Sequence, residues 1–89
     1  MEPPSRKNKR RSVINPVQYT RESETAGDVF DGVVFNISES GFFMITPEAL
    51  QEGQKITIRE GLHPCPREAI VKWSRKYKDI YYKVGAEFI

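Results

Sequence analysis

One cysteine and one histidine in 89 residues remove whole classes of function before any motif is weighed. Cys65 has no partner for an internal disulfide, and His63 is the only imidazole. A metal cluster needs several such residues at short spacing, so no metal site is expected. His63 and Cys65 lie among Pro64 and Pro66 in a turn-like stretch. Neighbours in sequence rarely hold the geometry of a nucleophilic Cys–His pair, and both are read as ordinary loop residues. No apolar run approaches the roughly 18 residues that span a bilayer. The first residues are basic and proline-bearing, without the apolar stretch of a signal peptide, so a cytoplasmic location is expected. No serine has a plausible base, no lysine-bearing loop cradles phosphate, and Glu39 and Glu60 are isolated carboxylates. No catalytic residue, cofactor or enzyme activity is expected. Helices of useful length are missing too, which excludes helix-turn-helix and coiled-coil readings.

What is present is a small β-rich chain with a lopsided charge. The length suits one domain whose core is just large enough to fold alone. Apolar content of 38% and charged content of 29% are ordinary for a globular chain. The net charge of +2 hides an asymmetry. Residues 1–11 hold Arg6, Lys7, Lys9, Arg10 and Arg11 against Glu2, a balance of +4, and the remaining nine basic and eleven acidic residues balance at −2. Residues 1–11 are thus predicted to be a flexible basic arm, of the kind that seeks phosphate, and residues 12–89 a folded body.

The body reads as strands. Residues 13–21, with Val13, Val17 and Tyr19 around Pro16, suggest an edge-like first strand. Residues 22–28 are polar and small, and read as a loop. Residues 29–37 set Val29, Val33, Phe35 and Ile37 on one face, with Asp31 as the exception. Residues 41–46 follow, with Phe42 and Met44 assigned to the interior and Phe43 and Ile45 to an outer apolar patch suited to self-association or partner docking. Residues 54–60 alternate through Ile56 and Ile58. Residues 67–74 place Ala69, Val71 and Trp73 together, and residues 80–89 do the same for Tyr82, Val84, Ala86 and Phe88. Only residues 47–52 read as a short helical turn, capped by Thr46, started by Pro47 and stopped by Gly53. Six evenly spaced strands predict an all-β, six-stranded antiparallel barrel.

Two motifs stand out in this frame. Arg6 and Arg10 are four residues apart on the arm. Asn36, Ser38 and Gly41 form an Asn-x-Ser-x-x-Gly turn, with Ser40 inside it. Pro16, Val17 and Tyr19, then Ile70 to Trp73, then Lys83 to Phe88 follow in the matching order. In this combination the chain resembles the PilZ domain family over residues 5–89. The resemblance implies a small β-barrel that binds the bacterial second messenger cyclic di-GMP. It places Arg6 and Arg10 as the ligand clamp, with Asn36, Ser38 and Gly41 beside them and Arg11 and Ser40 as accessory positions. Lys7/Arg11 is a competing register. Arg6/Arg10 is preferred because both positions must be arginine and Pro16 then falls at the expected offset.

The chemistry suits those residues. Guanidinium offers a planar fork of donors to phosphate oxygens and to the guanine O6/N7 edge, and its flat face stacks on purines. Lysine has neither fork nor plane. The Asn36 amide suits a guanine edge, Ser38 suits a phosphate or orders the turn, and Gly41 permits a tight turn or close ligand approach. Ser5 is small and leaves room beside Arg6, favouring two stacked ligand molecules over one. By this resemblance the protein is a receptor that signals to an unidentified downstream protein. Two alternatives stand: a degenerate member acting only as a protein–protein adaptor, and a small barrel binding single-stranded nucleic acid through its arm. The turn at Asn36 also has a purely structural reading, as a self-bonded link between strands.

Overall fold

The computed structural model describes residues 14–21 and 28–89. The arm with Arg6, Arg10 and Arg11 lies outside them, as does most of the expected loop over residues 22–28. Six strands follow in order: β1 (Asn15–Arg21), β2 (Phe30–Phe35), β3 (Gly41–Thr46), β4 (Lys55–Glu60), β5 (Arg67–Lys78) and β6 (Tyr81–Phe88). All pairs are antiparallel, and they close in the order β1-β2-β3-β6-β5-β4, with β4 returning to β1. The expected barrel is therefore present. Alternation along each strand sends one set of side chains inward. Val17, Tyr19, Val34, Phe42, Met44, Ile56, Ile58, Ala69, Val71, Val84 and Ala86 make the core, and closure leaves it no exposed apolar edge.

One polar group is buried among them. Thr46 Oγ1 donates to the Asp31 carbonyl at 2.9 Å. Its single hydrogen is thereby used, so the Tyr19 hydroxyl, 2.7 Å away, donates to Thr46. Burial pushes the Tyr19 phenol up to about 12 from 10.0. A folded-state value above the unfolded one means stability is full below about pH 10 and falls as pH rises towards 12. The loss amounts to roughly 2–3 kcal/mol across that window. Tyr19→Phe is expected to flatten this part of the stability–pH curve in urea titrations at pH 9 to 11.5. An unchanged slope would show that other groups cause it.

Four expectations change. The segment over residues 47–52 is not helical. Gln54 N–H donates to the Gln51 carbonyl at 3.0 Å and Gly53 has φ +89°, a tight turn that needs glycine at its third position. Thr46, the expected cap, does accept the Glu48 N–H at 3.4 Å, but its hydroxyl also bonds to Tyr19 and the Asp31 carbonyl in the core, and Leu50 is drawn into the core as well. Six residues gain too few i→i+4 bonds to repay helix nucleation against those contacts. Second, β1 is not an edge: it pairs with both β2 and β4. Pro16 is tolerated because β4 pairs only from Gln18 onward. Third, Val33 and Phe35 do share a face, but it is the outer one; Gly32 and Val34 point inward. Asn36, at φ +55°, breaks the alternation, and Ile37 packs back against the core.

The fourth change concerns Trp73. Val71 pairs with Ala86 while Trp73 pairs with Gly85, so Lys72 is the extra residue of a β-bulge. An inserted residue shifts the alternation. Ala69 and Val71 stay inside while Trp73 turns to the outer face. Its indole covers Gly85 so closely that a Cβ there would overlap the ring.

Candidate functional site

The outer face of β2, β3, β6 and β5 is built from two parallel rows set by strand register. One row runs Phe35, Phe43, Gly85, Trp73. The other runs Val33, Ile45, Lys83, Arg75. In the first, Phe43 meets Phe35 at 5.8 Å and Trp73 at 5.5 Å between ring centroids, both edge-on. Such contacts add about 0.5–1.5 kcal/mol each beyond buried area. The inward–outward assignment of residues 41–46 thus holds, with Phe42 and Met44 buried. Phe43 is half-buried between two rings instead of lying bare.

The second row borders a groove of about 500 Å³ lined by Ile14, Val33, Phe35, Asn36, Ile45, Tyr77 and Lys83. Five of these are apolar or aromatic. Asn36 and Lys83 supply an amide at one wall and a cation at another. Pockets of this kind, apolar with a few convergent polar groups, are the usual form of small-molecule sites. Asn36 reaches the groove from the left-handed region of backbone space, where asparagine is among the few tolerated side chains.

The rest of the Asn36–Gly41 motif serves the turn. Ser38 N–H donates to the Gly41 carbonyl at 2.8 Å. Its hydroxyl receives the Ser40 and Gly41 N–H groups at 3.3 and 3.4 Å and lies 3.3 Å from the Ser40 hydroxyl. The Ser40 backbone carbonyl in turn accepts from Phe88 N–H at 2.8 Å. Gly41 sits against β6, where a Cβ would overlap the Ala86 carbonyl oxygen. The structure therefore brings Asn36 to the groove and gives Ser38, Ser40 and Gly41 a shared role in joining β2 to β3. Arg6, Arg10 and Arg11 lie outside the described residues. Ile14, the first described residue, is 79% exposed and lines the groove.

Sequence reasoning missed Lys83, Tyr77 and Val33 as groove residues. Alternation around Val84 does place Lys83 outside, but only register reveals that Ile45 and Arg75 flank it. His63 and Cys65 lie in the β4–β5 loop, where Cys65 packs against the core. Among the described residues no group of three His, Cys, Asp or Glu side chains lies together. Among the described residues there is no helix long and apolar enough to cross a membrane.

Compared with family models, residues 4–89 match the one described as PilZ domain. No curated protein gave a match.

Proposed function

The chain belongs to the PilZ domain family, and from that premise we propose that it is a cyclic di-GMP receptor that acts as an adaptor. The observation that supports this most is that Ile14 and Asn36 line one groove. Arg10 precedes Ile14 by four residues and Arg6 by eight. At about 3.3–3.6 Å per residue, the intervening chain is long enough for either arginine to reach the groove. In this reading the arginines grip phosphates and guanine edges, and Asn36 meets a guanine through its amide. Ser38, Ser40 and Gly41 hold the turn that positions Asn36, and Arg11 adds charge. Binding fixes the arm against the groove and so alters the surface that a downstream protein reads.

Titration calorimetry with cyclic di-GMP and with a single-stranded oligonucleotide, each at low and high salt, tests the reading. Saturable dinucleotide binding that survives high salt is the expected result, with an endpoint of two molecules per chain. A one-to-one endpoint would overturn the stacked arrangement alone. Oligonucleotide binding that collapses with salt, without dinucleotide binding, would favour the nucleic-acid alternative. Phe35, Phe43 and Trp73 argue against that alternative, because their rings pack edge-on into one another and offer few open faces for stacking bases. Self-association through Phe43 and Ile45 remains a separate proposal. Val33 and Ile45 are the side chains a second copy would meet first, since Phe43 is covered on both sides.

A further inference from the structure

Lys83 and Arg75 stand directly opposite each other across β6 and β5, on the outer face. Like charges in facing cross-strand positions destabilise a sheet, so the pair calls for an explanation. Among the described residues neither cation forms an ion pair, and the nearby β6 carboxylate, Glu87, is taken by Lys72 at 3.8 Å. Both cations rest on the aromatic row. The Lys83 ammonium lies 5.6 Å from the Phe35 ring centroid and 5.9 Å from that of Phe43, and the Arg75 guanidinium lies 4.9 Å from Trp73. Ring contacts hold a cation in place without neutralising it. The result is a pre-positioned double positive charge that no carboxylate among the described residues pairs. Lys83 itself lines the groove that holds Asn36.

We infer that Lys83 and Arg75 form a phosphate-binding pair that extends the cyclic dinucleotide site from the β2–β3 turn across β6 and β5. The inference rests on the receptor reading above. Strands lie about 4.8 Å apart, so Lys83 is roughly 10 Å from β2, within the span of a dinucleotide anchored at Asn36. A phosphate there relieves the cross-strand repulsion and makes charge-assisted hydrogen bonds to both groups.

Calorimetry with cyclic di-GMP on Lys83→Met, Arg75→Met and the double variant tests this, with Lys72→Met as the control. Methionine keeps the apolar stem against the rings and removes only the charge. Lys83→Met is expected to weaken binding roughly ten- to a hundredfold, Arg75→Met roughly tenfold, and Lys83→Arg is expected to restore it. Lys72→Met should bind as the parent does. Thermal unfolding should show Lys83→Met as stable as the parent or more so, because a like-charge pair is relieved. If the parent binds the dinucleotide and the double variant binds it equally well, the pair lies outside the site and the inference fails by itself. If Lys83→Met loses both stability and affinity, and Lys83→Arg restores neither, the role is structural and the inference is likewise overturned. If the parent binds no dinucleotide, the receptor reading fails first and takes this inference with it.

Discussion

Arg10→Ala is expected to weaken cyclic di-GMP binding by about 3–5 kcal/mol, and Arg6→Ala by a similar amount, while Lys7→Ala costs less than about 1 kcal/mol. A charge-assisted hydrogen bond contributes about 1.5–3 kcal/mol, and a guanidinium fork in the proposed clamp makes more than one. The contrast matters more than the magnitude. Arg6, Lys7, Lys9, Arg10 and Arg11 all carry one positive charge, so a loss that follows charge alone would spread evenly along the arm. A loss confined to two arginines identifies bidentate recognition. Calorimetry on the single variants at one salt concentration decides it. Large losses at Lys7 and Arg11 with small ones at Arg6 and Arg10 would move the motif by one residue. Equal, small losses at every position would leave only nonspecific attraction and remove the clamp.

Gly41→Ala is expected to lower folding stability by about 3 kcal/mol or more, the upper end of what overpacking costs. The atom it would strike is the Ala86 carbonyl oxygen, part of the β6 backbone, which cannot rotate away as a side-chain tip can. Relief would require parting β3 from β6 where Gly41 faces Glu87 and Phe42 faces Ala86. Phe42 is a core residue, so the damage spreads inward. Gly53→Ala supplies the contrast. Gly53 has φ +89° but no atom within 4 Å of an added Cβ, so it should lose only the conformational penalty of about 1–2 kcal/mol. Urea denaturation measures both, as a lower midpoint with the slope preserved. A Gly41→Ala protein with the parent's midpoint but no ligand binding would make this glycine a ligand-approach residue instead of a strand-packing one.

These two experiments divide the motif residues by kind of role. The arm arginines carry the proposed ligand chemistry, and the Asn36–Gly41 segment carries geometry as well. In the described structure Ser38 accepts from two N–H groups of its own turn and Gly41 fits a neighbouring strand. Asn36 alone among the three lines the groove. A turn bonded to itself is compatible with a binding role, because a rigid support keeps the Asn36 side chain within reach of a ligand without paying to order it on binding.

Much of this protein was determined by local pattern. Alternation at Ile56 and Ile58, at Phe42 and Met44, and at Val84 and Ala86 predicted strands with an interior face, and burial of all six agrees. The order of short motifs along the chain predicted the family before any strand was paired. Tertiary structure decided what alternation cannot express. In β2 both faces carry apolar residues, so period two does not say which is inside; Gly32 and Val34 face the core because Met44 packs against the glycine. Residues 47–52 had acceptable helix signals, yet burial of Leu50 and Thr46 outweighed a helix too short to sustain itself. At Lys72 one inserted residue reversed the face of Trp73, and only hydrogen bonding to β6 reveals it. The pairing of Lys83 with Arg75 is likewise a matter of register between strands. Each residue's side of the sheet is a local property, but its neighbours across the sheet depend on how distant segments align, and that alignment is set by closing the barrel around one core.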